Sequence, residues 1–193
     1  MLIAFHKPYG VLSQFNQNPD RPEQPTLQGF DLPENLQPVG RLDMDSEGLL
    51  LLSDDPGFER KLLHPTKGHR RTYTVMVDGS PGETALRQLR VGGLQIRGHS
   101  TKPCRATVLD LPPALPPRDP EVVITPGRTY SWLELTLTEG KNRQVRRMTA
   151  AVGHPTLRLV RTMIGELPLG SLPAGEWREL GPKDIKRIFK KSR

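Results

Sequence analysis

Two stretches of this 193-residue sequence concentrate side chains able to do chemistry. The first is Gly40-Arg41-Leu42-Asp43-Met44-Asp45-Ser46-Glu47-Gly48, a glycine-bounded run with three acids and an arginine beside the leucine tract Leu49–Leu52. A carboxylate at the edge of a dry pocket can act as a nucleophile or a base. Asp43 is favoured over Asp45 because Leu42 precedes it and the apolar run lies behind. A solvated acidic turn is the plain alternative. A calcium loop fits Asp43, Asp45, Glu47 and Gly48, but it fails where leucines follow and where Asp54 stands in place of a closing Glu. The second stretch is Glu139-Gly140-Lys141-Asn142-Arg143-Gln144-Val145-Arg146-Arg147-Met148. Its basic side chains suit phosphate, since the planar arginine fork binds an oxyanion through two hydrogen bonds. An ordinary amphipathic helix with a cationic outer face is the alternative.

Elements must position these residues. Leu2–His6 is expected as a strand leading into the turn Lys7-Pro8-Tyr9-Gly10. Leu42 and Leu49–Leu52 are expected as strand, turn, strand. A short helix should cover Phe58–Leu63 and stop before Pro65. Arg71–Val77 alternates as a strand with Tyr73, Val75 and Val77 on one face. Ser80-Pro81-Gly82-Glu83 has the form of a capping box for a helix that buries Ala85, Leu86 and Leu89 and ends at Gly92-Gly93. Cys104–Leu109, Leu133–Leu137, Leu157–Val160 and Trp177–Leu180 read as strands. Lys141–Val152 reads as a helix with Asn142 at its N-cap. Many strands and few short helices predict an α+β fold with a mostly antiparallel sheet.

Composition narrows the function. The formal charge is +7, and residues 140–193 hold 13 Lys/Arg against 4 Asp/Glu. Such asymmetry suits a polyanion. No apolar run approaches the roughly 20 residues of a membrane span, so no membrane partner is expected. The single cysteine, Cys104, excludes an internal disulfide and fits a reducing, cytoplasmic setting. The five histidines, His6, His64, His69, His99 and His154, lack metal-ligand spacing, so no metal is expected. Residues 1–182 are expected as one domain of two lobes, with a candidate boundary in the proline-rich 111–128 loop, followed by a basic tail at 183–193.

Lys7-Pro8-Tyr9-Gly10, Gly40-Arg41-Leu42-Asp43, Ser46-Glu47-Gly48 with Leu49–Leu52, Arg71-Thr72-Tyr73-Thr74-Val75, Glu139–Met148, Leu159-Val160-Arg161 and Gly175-Glu176-Trp177-Arg178 form an ordered set. This set resembles the RsuA-type ribosomal RNA pseudouridine synthases over nearly the whole chain. Gln14-Phe15, the Asp45-Ser46-Glu47-Gly48 turn and Ser131-Trp132-Leu133 are similar to the branch that acts on large-subunit rRNA.

The resemblance implies a bent, mostly antiparallel sheet in two lobes flanked by short helices, with a catalytic cleft. It also implies isomerisation of a uridine of 23S rRNA without cofactor or metal, on naked RNA or on a pre-ribosomal particle. It gives Asp43 the catalytic role, places Tyr73 against the target base, and makes Arg146 the ion-pair partner of Asp43, with Arg147 as the substitute. Lys7, Arg41, Lys141, Arg143 and Arg147 are expected to contact RNA. From pattern alone Tyr73 can equally be core, Lys7 can cap a turn, and Arg41 can hold the fold through an ion pair. Many relatives carry an N-terminal S4 RNA-binding module. Here the first motif starts at residue 7, which leaves no room for one, so the domain itself must capture substrate. A monomer is the default expectation. A non-catalytic rRNA-binding or ribosome-assembly protein is the alternative.

Overall fold

The computed structural model describes residues 1–63 and 69–190. His64 and the last three residues of the expected tail, 191–193, lie outside the described residues. In chain order the elements are β1 (Leu2–Lys7), β2 (Gln37–Pro38), β3 (Glu47–Ser53), α1 (Pro56–Leu63), β4 (Arg71–Asp78) and α2 (Glu83–Val91). There follow β5 (Gln95–Ile96), β6 (His99–Ser100), β7 (Arg105–Val108), β8 (Tyr130–Leu137), α3 (Gln144–Ala151), β9 (Thr156–Ile164), β10 (Leu167–Pro168), β11 (Trp177–Glu179) and α4 (Pro182–Phe189). Among the described residues no helix is long and apolar enough to cross a membrane.

The chain divides into two compact units, Met1–His69 with Arg161–Arg193, and Arg70–Val160. In the first unit β1 lies between β11 and β3, antiparallel to both. β1 is buried at every position, as is β3. Leu49–Leu52 are fully buried, because a strand covered on both faces reads as a continuous apolar run rather than an alternating one. The register pairs Lys7 with Gly48, so the last residue of β1 lies beside the second residue of β3. Leu42 belongs to a loop rather than to the strand expected there; the short partner on β3 is β2, which pairs Gln37 with Ser53.

The expected basic tail is mostly structured. Residues 182–189 form α4, whose Ile188 is fully buried. Gly165 sits so close to the Ile188 carbonyl that no side chain fits there. Charge masked this helix in the sequence: its apolar face is only Ile185, Ile188 and Phe189, spaced for one stripe.

In the second unit β8 is central, antiparallel to β4 on one side and β7 on the other. β4 is buried on both faces, and Thr72 and Thr136 pair across strands through their hydroxyls at 2.9 Å. α2 buries Ala85, Leu86 and Leu89 as expected, but its N-cap is Gly82, without a side-chain cap from Ser80. The proline-rich 111–128 loop joins β7 to β8 inside this unit. Its prolines lack donors for a ladder, which makes it a long connection between neighbouring strands rather than a lobe boundary. Antiparallel pairing with four short α-helices among the described residues is the α+β arrangement expected from the sequence.

Candidate active site and RNA interface

The Asp43 loop is fastened from below. Ser13 Oγ donates to the Leu42 carbonyl at 2.8 Å and accepts from the Leu42 N–H at 3.1 Å. On the other flank of Asp43, the Gly10 N–H donates to the Met44 carbonyl at 2.8 Å. The Ser46 N–H then closes the turn onto the Asp43 carbonyl at 3.0 Å. Leu42 is buried, Asp43 is half-buried, and Met44 and Arg41 are exposed. The backbone of the aspartate is thus held on both sides while its side chain keeps access to solvent.

Lys7 lies under this loop and is 0% exposed. That corrects the expectation of an RNA contact. Its Nζ donates to the carbonyls of Val11 at 2.7 Å, Pro8 at 2.8 Å and Met44 at 3.4 Å. A buried ammonium needs such acceptors to offset lost hydration. Burial pushes the Lys7 ammonium down to about 7; Glu47, Asp45 and Asp43 pull it upward, and Arg161 adds to the downward push. Lys7, Asp43, Asp45, Glu47 and Arg161 therefore share one electrostatic neighbourhood. Arg161 is 4% exposed and donates from Nε to the Leu49 carbonyl at 2.7 Å. Gly48, at φ +104°, lies against the Arg161 backbone, where a Cβ would come within 2.8 Å of the Arg161 nitrogen. Only glycine permits this approach.

The second unit carries the other expected residues. Tyr73 sits in β4 opposite Leu135 and is 9% exposed. It is thus mainly a buried strand residue with a small accessible edge. Arg146 is half-buried on α3 and donates from Nη1 to the Thr156 carbonyl at 3.3 Å. Arg147 folds back on Asn142, with Nη2 to Oδ1 at 2.7 Å. Lys141 and Arg143 are exposed. The expected Asn142 cap gives way to Arg143, which is left-handed at φ +52° and provides no side-chain cap. Gln144, the first residue of α3, instead closes the turn before the helix, its Oε1 accepting from the Lys141 N–H at 2.9 Å.

The start of α3 is organised by Glu139, which opens the second sequence stretch but was given no role of its own there. Glu139 accepts from Gln144 Nε2 at 2.6 Å and from the Lys102 N–H at 2.8 Å, and meets His99 Nε2 at 2.9 Å. Its side chain is 9% exposed. Burial raises the Glu139 carboxyl, but the donors from Lys102, Gln144 and His99 outweigh it and hold the group below its usual range. The signal available in the sequence was a Glu five residues before a Gln at a strand-to-helix turn. Arg161 was also missed as a site residue, although an arginine within an apolar strand pattern, as at Arg158 and Arg161 of β9, is such a signal. Cys104 is a packing residue: its Sγ donates to the Leu89 carbonyl at 3.2 Å, and burial pushes the thiol up to about 11.

Of the expected residues, Lys7, Arg41 and Asp43 belong to the first unit. Tyr73, Lys141, Arg143, Arg146 and Arg147 belong to the second.

Comparison with known proteins gives the family. Residues 1–151 match the family model described as RNA pseudouridylate synthase. A relative from Xanthomonas campestris pv. campestris, named ribosomal large subunit pseudouridine synthase E, is 47% identical over 178 residues, covering 92% of this chain and 94% of its own. A protein of the same name from Vibrio parahaemolyticus is 42% identical, over 93% of this chain and 73% of its own. A crystal structure of a pseudouridylate synthase superposes with a TM-score of 0.79 at 29% identity, covering 97% of this chain and 73% of the other. The chain belongs to the RNA pseudouridylate synthase family, as an RsuA-type enzyme similar to these two bacterial synthases of large-subunit rRNA.

Proposed function

We propose that this protein isomerises a specific uridine of large-subunit (23S) ribosomal RNA to pseudouridine, acting in the cytoplasm as a monomer and without cofactor. The observation that carries the reading is the fixed position of Asp43: Ser13 holds Leu42, Gly10 and Lys7 hold Met44, and the carboxylate between them stays half-buried. Such preorganisation is what a group aimed at one atom of a substrate requires.

The reaction breaks the bond between C1′ and N1, turns the uracil, and joins C1′ to C5, releasing the C5 proton. The ionised Asp43 either attacks C1′ or takes a proton from the sugar as N1 departs; both routes need the charged form. Arg146 serves as its cationic partner, and a guanidinium near a carboxylate favours the charged state. The ring of Tyr73 is the wall that retains the detached uracil, and stacking of this kind contributes on the order of 1–3 kcal/mol. A target in stacked RNA must first be everted at a cost of a few kcal/mol. Contacts from Lys141, Arg143 and Arg147 to phosphates offset that cost, and Arg41 adds an exposed cation beside Asp43.

The test is to incubate the protein with unmodified large-subunit rRNA, treat with carbodiimide, and map reverse-transcription stops. A single alkali-stable stop with the wild type, absent with Asp43→Asn, supports the reading. No stop on naked RNA or on precursor particles would overturn it.

A further inference from the structure

At the start of the Asp43 loop the first unit has a cleft of about 420 Å³. Its size falls in the roughly 300–1,000 Å³ range of small-ligand pockets. Gln14, Phe15, Asn16, Gln37, Arg41 and Glu59 line it. Three side-chain amides, a guanidinium, a carboxylate and an aromatic ring make a polar slot with one flat apolar surface.

The slot is built rather than incidental. The Leu27 N–H donates to the Gln14 carbonyl at 2.9 Å, and the buried Thr26 donates from Oγ1 to the Phe15 carbonyl at 3.0 Å. The amide of Gln14 is oriented by its own hydrogen bond to the Asn16 carbonyl at 2.8 Å. The Gly40 N–H donates to Glu59 Oε1 at 3.4 Å, which ties α1 to the start of the Asp43 loop. Arg41 belongs to the slot, and Asp43 lies two residues beyond it. Two residues reach at most about 7 Å, so occupants of the slot and of the Asp43 site would be neighbouring nucleotides.

The mixture of groups selects the occupant. A carboxylate in the wall disfavours a phosphate and favours an edge that donates N–H groups. Arginine and the amides favour an edge with acceptors. Guanine presents both: N1–H and the 2-amino group donate, while O6 and N7 accept, and the arginine fork matches the latter pair. Unstacked bases in RNA are read in this way, by edge hydrogen bonds and an aromatic surface. We infer that the slot formed by Gln14, Phe15, Asn16, Gln37, Arg41 and Glu59 binds an unpaired guanine flanking the target uridine, and so helps choose the site of modification. This inference rests on the RNA-modifying function proposed above.

The test uses fluorescein-labelled decauridylate and versions with one central guanosine, adenosine, cytidine or inosine. The wild type should bind the guanosine oligomer at least fivefold more tightly than the adenosine, cytidine or all-uridine oligomers. Inosine, which lacks the 2-amino group, should lose most of that preference. Glu59→Gln and, independently, Gln14→Ala should bring the ratio close to one. Equal binding of all oligomers by the wild type, or a preference that survives both variants, would overturn the inference. The carbodiimide assay reads the parent function separately. A wild type that forms pseudouridine but shows no base preference removes the slot alone. A wild type that prefers guanosine but modifies no rRNA keeps the slot and removes the rRNA function.

Discussion

Lys7 donates from Nζ to the carbonyl of Met44, at 3.4 Å, so a fully buried cation holds the residue next to Asp43. Because its ammonium is lowered from 10.5 to about 7, the unfolded chain binds one more proton than the native chain between those values. Native stability from this group therefore rises with pH across that window and is flat below it. Lys7→Met removes the dependence and leaves the Val11 and Pro8 carbonyls without their donor. The stability gap between wild type and Lys7→Met should widen from pH 6.5 to 9.5, with a slope of at most about 1.4 kcal/mol per unit. Urea unfolding at three pH values measures it. A gap that stays constant or narrows would show that Lys7 is not titrating in the folded state.

Gly48 and Gly10 both adopt positive φ, but they differ in surroundings. A Cβ at Gly48 meets the Arg161 backbone, whereas one at Gly10 meets nothing within 4 Å. Gly10→Ala should cost about 1–2 kcal/mol of backbone strain. Gly48→Ala adds steric overlap against main chain that cannot rotate away, for about 3 kcal/mol or more in all. At about 2–4 °C per kcal/mol for a chain of this size, the melting temperatures of the two variants should be clearly separated. Equal losses would remove the close packing of β3 on Arg161.

The carboxylate at the start of α3 makes stability rise with pH as Lys7 does, but in an acidic window. Glu139 is held below its usual 4.5, so its contribution is fully present above that value and is lost as pH falls through the lower folded value. Glu139→Gln should cost about 1–3 kcal/mol at pH 6, since hydrogen bonds to a charged group are exchanged for neutral ones. That difference should shrink steadily when unfolding is followed from pH 5 to pH 3. A difference unchanged over that range would mean that Glu139 is not bound as an anion.

Much of this molecule was legible in its sequence, and the failures have physical causes. β4 and β8 alternate or run apolar as strands do, and α2 shows its buried stripe in Ala85, Leu86 and Leu89. Leu49–Leu52 announced a doubly covered strand. Lys7 was misplaced because a lysine is almost never fully buried without partners, and its partners here are carbonyls, which no side-chain pattern displays. Asn142 looked like a cap, but the left-handed residue Arg143 occupies the N-cap position and caps without a side chain. α4 was hidden by its own cations. The types and spacing around Asp43 mark it as a candidate in the sequence, whereas Arg161 and Glu139 matter through contacts between residues distant in sequence, such as Arg161 with Leu49.

The central claim is that Asp43 performs chemistry rather than binding. Formation of the bond between C1′ and C5 expels the hydrogen from C5, so rRNA transcribed with 5-tritiated uridine reports each turnover as tritium released to water. The measurement is single-turnover tritium release by wild type and Asp43→Asn, with RNA affinity determined on the same preparations. The wild type should release tritium from one site, and Asp43→Asn should bind RNA within about twofold while reacting at least about 1,000-fold more slowly. Release by Asp43→Asn at the wild-type rate, or a loss explained entirely by weakened RNA binding, would contradict the catalytic role of Asp43.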